Sequence, residues 1–155
     1  MKRLITTLTT ILACYAIAPA QNVVYNSSGL LQDVDSLIVV GLSHLELDKV
    51  MIYVFDQHSP VAADSMTSKR TYAYVQKITT GIYFMVFNTE MCNKKLRVVI
   101  AHELIHVWQH ETGKLKPIDE HKSMYDGKIY DRQLIPYSMY PWEREAFNKQ
   151  KQLSL

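Results

Sequence analysis

The chain has 155 residues, of which 48% are hydrophobic, and a formal net charge of +2. This length and composition indicate one compact domain, and the nearly balanced charge offers no basic patch of the kind that binds nucleic acid. Its two cysteines, Cys14 and Cys92, leave the region after residue 20 without an internal disulfide, so stability must come from a hydrophobic core and any bound metal.

The first twenty residues have the composition of an export signal. Met1 to Arg3 carries positive charge, Leu4 to Ile17 is largely apolar, and Ala18 to Ala20 has the small-x-small form of a signal-peptidase site. The apolar run is shorter than the roughly 20 residues that cross a bilayer, which disfavours a transmembrane span. We therefore expect a signal peptide at residues 1–20 and a single domain at 21–155 that is exported, either secreted or periplasmic.

The segment from Ile11 to Cys14 leaves a second interpretation of this region open. It resembles the bacterial lipobox, in which the chain is cut before the cysteine and the cysteine receives a lipid anchor. Tyr15 to Ala20 is still apolar where a lipoprotein usually has a polar tether, so simple secretion is favoured. A membrane-anchored lipoprotein, held through Cys14, is the alternative.

The region up to Asn88 predicts a helix, a strand and a hairpin. Between Ser28 and Gly41, apolar residues fall at i, i+1, i+4, i+7 and i+8, as in an amphipathic helix that packs on a sheet. Val50 to Phe55 is rich in strand-forming residues. Thr71 to Ile78 and Ile82 to Asn88 flank a turn that contains a glycine, and together they predict an antiparallel hairpin.

The segment from Asn93 to Gly113 predicts a buried helix. Asn93 can cap its start and Gly113 can end it. Apolar residues surround the helix almost completely, as expected of a central helix: Leu96, Val98, Val99, Ile100, Leu104, Ile105, Val107 and Trp108.

His102, Glu103 and His106 within this helix form a pattern that can bind zinc. The two histidines lie one turn apart on one face, so their ring nitrogens can converge on a single ion at roughly 2.0–2.1 Å. Glu103 lies beside that ion, where it can act as general base toward a zinc-activated water. Three ionisable side chains on a buried helix would be costly unless paired or metal-bound, which favours one Zn²⁺ per chain.

The last third of the chain has weaker patterns. Lys114 to Asp126 is polar, and Met124 to Tyr130 predicts a small hairpin with its turn at Asp126-Gly127. Pro141 occupies the usual first position of a helix, which continues in good helix formers. The sequence as a whole predicts an α+β fold, with a small mixed or antiparallel sheet packed on the buried helix.

A catalytic zinc needs three protein ligands and one open position, so a third ligand must come from outside the histidine pair. His110 is too far from His102, by about 12 Å along an unbroken helix. The metzincin arrangement is excluded because Gln109 and Thr112 occupy the positions of its glycine and third histidine.

Glu143 and Glu145 on the C-terminal helix are the remaining candidates for the third ligand. Glu143 shares a face with the apolar residues Ala146 and Phe147, whereas Glu145 is turned about 200° away. This phase favours Glu143 as the ligand and Glu145 as a solvated charge. A surface ion pair between Glu143 and Lys149 is the alternative.

The sequence from His102 to His106, His-Glu-Leu-Ile-His, followed later by Glu143-Arg144-Glu145-Ala146, resembles the gluzincin zinc metallopeptidases, and the chain length resembles their minimal members, the minigluzincins. The resemblance covers about residues 93–112 and 137–147. It implies a zincin-like fold whose third zinc ligand is Glu143, carried by the C-terminal helix.

Phe147 departs from the pattern of many gluzincins, in which an aspartate at this position orients a zinc-ligating histidine. The orienting partner is therefore open, and the sequence leaves three candidates for it: Asp119, Asp126 and Asp131.

The function implied by the motif and the resemblance is a zinc metalloendopeptidase that acts on a peptide or protein substrate. In that function His102, His106 and Glu143 hold the zinc, and Glu103 is the base. Tyr137 and Tyr140 are candidates to stabilise the transition state. They belong to a group of polar and aromatic residues that also contains Tyr125, Tyr130 and Arg132. Packing of these aromatic rings beside Trp142 is an equally good interpretation.

Two alternatives to an enzyme are open. One is a zincin-fold binding protein, such as an inhibitor, immunity or surface-assembly factor, that retains the metal without protease activity; the presence of Glu103 argues against it. The other is a structural metal site with four protein ligands, for which neither Cys92 nor His121 has suitable spacing. His44 and His58 are expected to be ordinary surface histidines.

Overall fold

A computed structural model describes residues 21–27, 33–59, 71–92 and 95–153 of the chain. The expected export signal, Cys14 and the expected helix cap Asn93 lie outside these residues. Within the described ranges the elements are β1 (Val23–Asn26), α1 (Val34–His44), β2 (Met51–Asp56), β3 (Ala73–Thr79), β4 (Ile82–Phe87), α2 (Thr89–Cys92), α3 (Leu96–Glu111), β5 (Leu115–Pro117), β6 (Lys122–Tyr125), β7 (Lys128–Asp131), a 3₁₀ turn (Tyr137–Met139) and α4 (Pro141–Lys149). No helix in these ranges has the length and apolar character needed to cross a membrane.

The larger sheet has four strands in the order β1-β2-β4-β3. Strand β2 pairs in parallel with both β1 and β4, whereas β3 pairs antiparallel with β4 and forms one edge. The β3–β4 hairpin turns at Gly81, whose φ of +72° is costly for other residues. A Cβ at Gly81 would also lie 3.0 Å from the carbonyl oxygen of Lys49, so this turn needs glycine.

The core lies between one face of this sheet and the helices α1 and α3. Alternate residues of β2 and β4 point to the helices because strand side chains alternate between faces. The fully buried members of this core include Ile38 and Leu42 of α1, Ile52 and Val54 of β2, Tyr83, Met85 and Phe87 of β4, and Ile100, Leu104 and Val107 of α3. Helix α3 is therefore the central helix that its sequence predicts, although Val98 on its first turn is 53% exposed.

A second, three-stranded antiparallel sheet has the order β5-β6-β7. Its β6–β7 turn has positive φ at Asp126 and Gly127, as in a type I′ hairpin turn. Leu115, Tyr125 and Trp142 form a small apolar cluster that joins this sheet to α4.

The structure confirms the α+β class and most of the predicted elements. The predicted helix at 28–41 is observed at Val34–His44, so it lies later in the chain, and residues 28–32 are outside the described ranges. Both predicted hairpins and the helix starting at Pro141 are present. Strands β1 and β5 were not predicted, since each is a short strand without an alternating pattern.

Candidate metal centre

Helix α3 carries both histidines of the predicted zinc motif. It runs without a break from Leu96 to Glu111, and Gly113 follows its end with a φ of +72°, as predicted for a glycine stop. The uninterrupted helix keeps His102 and His106 one turn apart, and their rings meet edge to face with centroids 4.8 Å apart.

Helix α4 packs against α3 and brings Glu143 to the same place. His102, His106 and Glu143 each offer a ligand atom, and these atoms lie within 4.8 Å of one another. His102 Nε2 is 3.2 Å from Glu143 Oε2, His106 Nε2 is 3.5 Å from Glu143 Oε1, and the two Nε2 atoms are 3.2 Å apart. This group can hold a metal ion, and the choice of Glu143 from helical phase agrees with its position here.

The spacing of these atoms fits a tetrahedral ion. Ligands at roughly 2.0–2.1 Å from a tetrahedral centre stand about 3.3 Å apart, close to the separations above. Two imidazole nitrogens that face each other without a hydrogen between them also repel unless a cation lies between them. Two imidazole nitrogens and a carboxylate oxygen form a donor set that can bind zinc and other divalent transition metals.

The site is largely shielded from solvent. The side chains of His102, His106 and Glu143 are 12%, 11% and 8% exposed. Burial alone would lower the pKa of His106, but hydrogen bonding to Glu143 and the charge of Glu103 outweigh it and raise that pKa to about 9. Burial would raise the pKa of Glu143, yet its bonds to the two histidines hold it well below its usual range.

Glu103 lies beside the ligand group without belonging to it. It is 6% exposed and accepts a backbone hydrogen bond from Val75 on the edge strand β3. Desolvation by this burial raises the pKa of Glu103 above its usual value. Its position, next to the cluster and facing β3, is the one that the motif predicts for a base.

A cleft of about 580 Å³ opens onto this cluster. Its lining includes β3 from Ala73 to Lys77, together with Arg132, Tyr137 and Trp142. Glu103, His106 and Glu143 line it together, so these three side chains face one space large enough for part of a peptide.

Of the two tyrosines predicted as transition-state stabilisers, Tyr137 is at the site and Tyr140 is not. The Tyr137 hydroxyl donates to Glu143 Oε2 at 2.6 Å, although 58% of the residue is exposed. Desolvation and the Glu143 charge raise the pKa of Tyr137, so it remains a neutral donor. The Tyr140 hydroxyl instead donates to the carbonyl oxygen of Arg132 at 2.8 Å, and its ring packs on Trp142.

The sequence left the orienting partner of the histidines open, and the structure places glutamines there and none of the three candidate aspartates. Asp119 and Asp131 accept backbone hydrogen bonds within their own loops, and Asp126 lies in the exposed β6–β7 turn. The histidines are instead oriented by glutamines: Gln109 Oε1 is 2.8 Å from His106 Nδ1, and Gln150 Oε1 is 2.9 Å from His102 Nδ1. Gln109 was detectable in principle, since it lies three residues after His106 on a helix that is buried all round.

Glu145 also differs from its prediction as a solvated charge. It lies on the side of α4 that faces the second sheet and contacts Gln109, Lys114 and Tyr125. The burial of this carboxylate is balanced by donors from three parts of the chain, which helical phase alone could not reveal.

The remaining histidines lie apart from the ligand group. His44 and His58 are exposed, as predicted, and His121 is exposed at the β5–β6 turn. His110 donates from Nδ1 to the carbonyl oxygen of Leu115 and lines the far end of the cleft. Among the described residues, His102, His106 and Glu143 form the only group of this kind.

Comparisons of the chain with protein-family models, with curated proteins and with solved structures found no match.

Proposed function

We propose that the protein is a zinc metalloendopeptidase of the gluzincin type, acting on peptide bonds of exported or extracellular substrates. The observation that carries the proposal is the convergence of His102, His106 and Glu143, together with the cleft that Glu103, His106 and Glu143 line. A zincin-like fold is part of the same proposal, supported by the order of the elements: a mixed sheet, a central helix with two ligands and a C-terminal helix with the third.

His102, His106 and Glu143 are the residues that would hold the zinc. A bound zinc supplies Lewis-acid activation of a water and of the scissile carbonyl. Among the described residues only these three would hold the ion, as in a catalytic site, whereas a structural site would have a fourth protein ligand.

Glu103 is the proton carrier of the proposed reaction. Its carboxylate takes a proton from the attacking water and delivers it to the nitrogen of the leaving amine, so the peptide bond breaks into a carboxylate and an amine. The hydrogen bond from Val75 holds this side chain against the strand that lines the cleft. Tyr137 is the donor best positioned to bond the developing oxyanion, because its hydroxyl already reaches the ligand group.

A peptide-library digest with zinc-loaded protein tests the proposal. Wild-type protein should cleave internal peptide bonds, and Glu103→Gln should lose about 10²–10⁴-fold in turnover while it retains zinc, because the change removes the base but no ligand. Zinc content is measured on both samples. Zinc-loaded wild-type protein that cleaves no peptide in the library would contradict the peptidase and favour a binding protein with a retained metal site.

A further inference from the structure

Gln109 is a polar side chain whose every hydrogen-bonding group has a partner, although the residue is 0% exposed. Its Nε2 donates to the carbonyl oxygen of Trp142 at 2.9 Å and to Glu145 Oε2 at 3.0 Å. Its Oε1 lies 2.8 Å from His106 Nδ1.

These partners determine which way the amide of Gln109 points. A carbonyl oxygen and a carboxylate can only accept hydrogen bonds, so the NH₂ group must face Trp142 and Glu145. The oxygen of the amide must then face His106, and it can only accept. His106 therefore carries a hydrogen on Nδ1, which leaves the lone pair of neutral His106 on Nε2, the atom directed at the other two ligands.

The same amide connects the two helices that carry the ligands. Trp142 immediately precedes Glu143, so the bond from Gln109 to the Trp142 carbonyl holds the first turn of α4 against α3. A single side chain thus contacts both the ring of His106 and the residue that precedes Glu143.

Glu145 fixes Gln109 in turn. Lys114 Nζ is 2.5 Å from Glu145 Oε1, and the Tyr125 hydroxyl donates to Glu145 Oε2 at 2.7 Å. Lys114 precedes β5 and Tyr125 belongs to β6, so the second sheet supports this carboxylate. The result is a continuous series of hydrogen bonds from that sheet through Glu145 and Gln109 to His106.

We propose that Gln109 is the main positioning residue of the metal centre and that Glu145, supported by Lys114 and Tyr125, acts through it. This inference rests on the proposed zinc site. It gives the second sheet a role in metal binding. A neutral amide backed by a carboxylate would orient the ligating histidine, a role for which the sequence offered three aspartates as candidates. The hydrogen-bonded support of His102 is weaker, since the side chain of Gln150 makes only this bond among those seen in the described residues, although the ring of His102 also packs on Phe147.

The first test replaces Gln109 by methionine, which has a similar volume and neither accepts from His106 nor donates to Trp142. Zinc affinity, measured by competition with a chelator, should fall about 10–100-fold. Gln150→Met should lose less, and the exposed Gln152→Met is the matched control that should not change. In zinc-loaded wild-type protein, the downfield NMR resonance of the His106 Nδ1 proton should be protected from exchange with water. In Gln109→Met this protection should be lost.

The second test separates positioning from mere packing by exchanging the amide and the carboxylate. Gln109→Glu alone places two carboxylates about 3 Å apart and should bind zinc weakly. Both variants keep an acceptor for His106 and lose the donor to the Trp142 carbonyl, and only the double variant Gln109→Glu/Glu145→Gln restores a donor between positions 109 and 145. It should bind zinc at least about tenfold more tightly than Gln109→Glu, a coupling that independent sites would not show.

The outcomes distinguish this inference from the proposed function. Wild-type protein without zinc affinity would overturn the metal centre and this inference together. Wild-type protein that binds zinc, with a folded Gln109→Met variant within twofold of it, would overturn this inference alone. If Gln109→Met does not fold, the exchange of amide and carboxylate decides. A double variant that binds zinc no more tightly than Gln109→Glu would overturn the positioning role. A peptide digest without cleavage would contradict the peptidase but not the positioning role.

Discussion

Glu111, the last residue of α3, ties the β3–β4 hairpin to the helix that carries the metal ligands. Its Oε1 accepts from Lys77 Nζ at 2.9 Å, from the Gly81 backbone N–H at 3.1 Å and from the Tyr83 hydroxyl at 2.5 Å. Burial would raise the pKa of Glu111, but its bonds to Tyr83 and Lys77 outweigh this and lower it, so the carboxylate is charged at neutral pH. We expect this carboxylate to be one of the main polar contributors to stability.

The expected magnitude follows from the donors that Glu111→Ala would abandon. Tyr83 is 0% exposed, so its hydroxyl would lose an acceptor without gaining full hydration, whereas the side chain of Lys77 is 24% exposed and its ammonium can turn to water. Bonds to charged groups contribute about 1.5–3 kcal/mol each and do not add fully, so we expect Glu111→Ala to lose about 3 kcal/mol and Glu111→Gln about half of that.

Urea unfolding of metal-free protein measures this loss without a contribution from zinc binding. In thermal unfolding of the same metal-free protein, the Tm of Glu111→Ala should be about 10 °C below that of wild type. Glu120→Ala, which changes an exposed glutamate, is the control and should stay within about 0.5 kcal/mol of wild type. A Glu111→Ala variant as stable as that control would show that these three hydrogen bonds give no net stability and would refute the reasoning.

Three further predictions concern pH, catalysis and export. Burial lowers the pKa of His110 from 6.5 to about 4. As pH falls from 6.5 to 4, the free energy of unfolding of metal-free wild-type protein should therefore fall by up to about 3 kcal/mol relative to that of His110→Gln. A difference in urea stability that does not change with pH would contradict this. Tyr137→Phe should retain zinc and lose about 10²–10³-fold in turnover in a peptide assay, and unchanged turnover would remove Tyr137 from the mechanism. Intact-mass measurement of the exported protein should show a start after Ala20, or at a lipidated Cys14, and an unprocessed Met1 would refute both forms of export.

The parts of the fold that could be predicted are those whose signal is local. Helix α3, the turn at Asp126-Gly127 and the start of α4 at Pro141 each depend on patterns or caps within a few residues. Strand β1 is stabilised by parallel pairing with β2, which lies more than twenty residues later, so its four residues carry no distinctive pattern of their own. Strand β5 likewise depends on its pairing with β6.

The residues of the candidate site likewise differ in whether a local sequence pattern predicts them. His102, Glu103 and His106 follow from spacing on one helix, and Glu143 follows from the phase of another. The contact of Gln109 with His106 lies within α3, and its spacing could have been noticed. The contacts of Gln109 with α4 and of Glu145 with the second sheet arise only where these elements meet, so no spacing in the sequence could specify them. For the same reason the sequence could not choose an orienting partner among its three candidate aspartates, and glutamines contact the histidines instead.

The most direct test of the metal centre is the zinc affinity of Glu143→Gln against Glu103→Gln and wild type, by competition with a chelator of known affinity. Both glutamates are 6% exposed, so the two variants neutralise equally buried charges next to the same histidines. We predict about one zinc per chain in wild type, an affinity within about tenfold of it for Glu103→Gln, and a loss well beyond tenfold for Glu143→Gln, because an amide is a poor ligand for a dication. Equal affinities for Glu143→Gln and wild type, or wild-type protein that takes up no zinc, would contradict the metal centre.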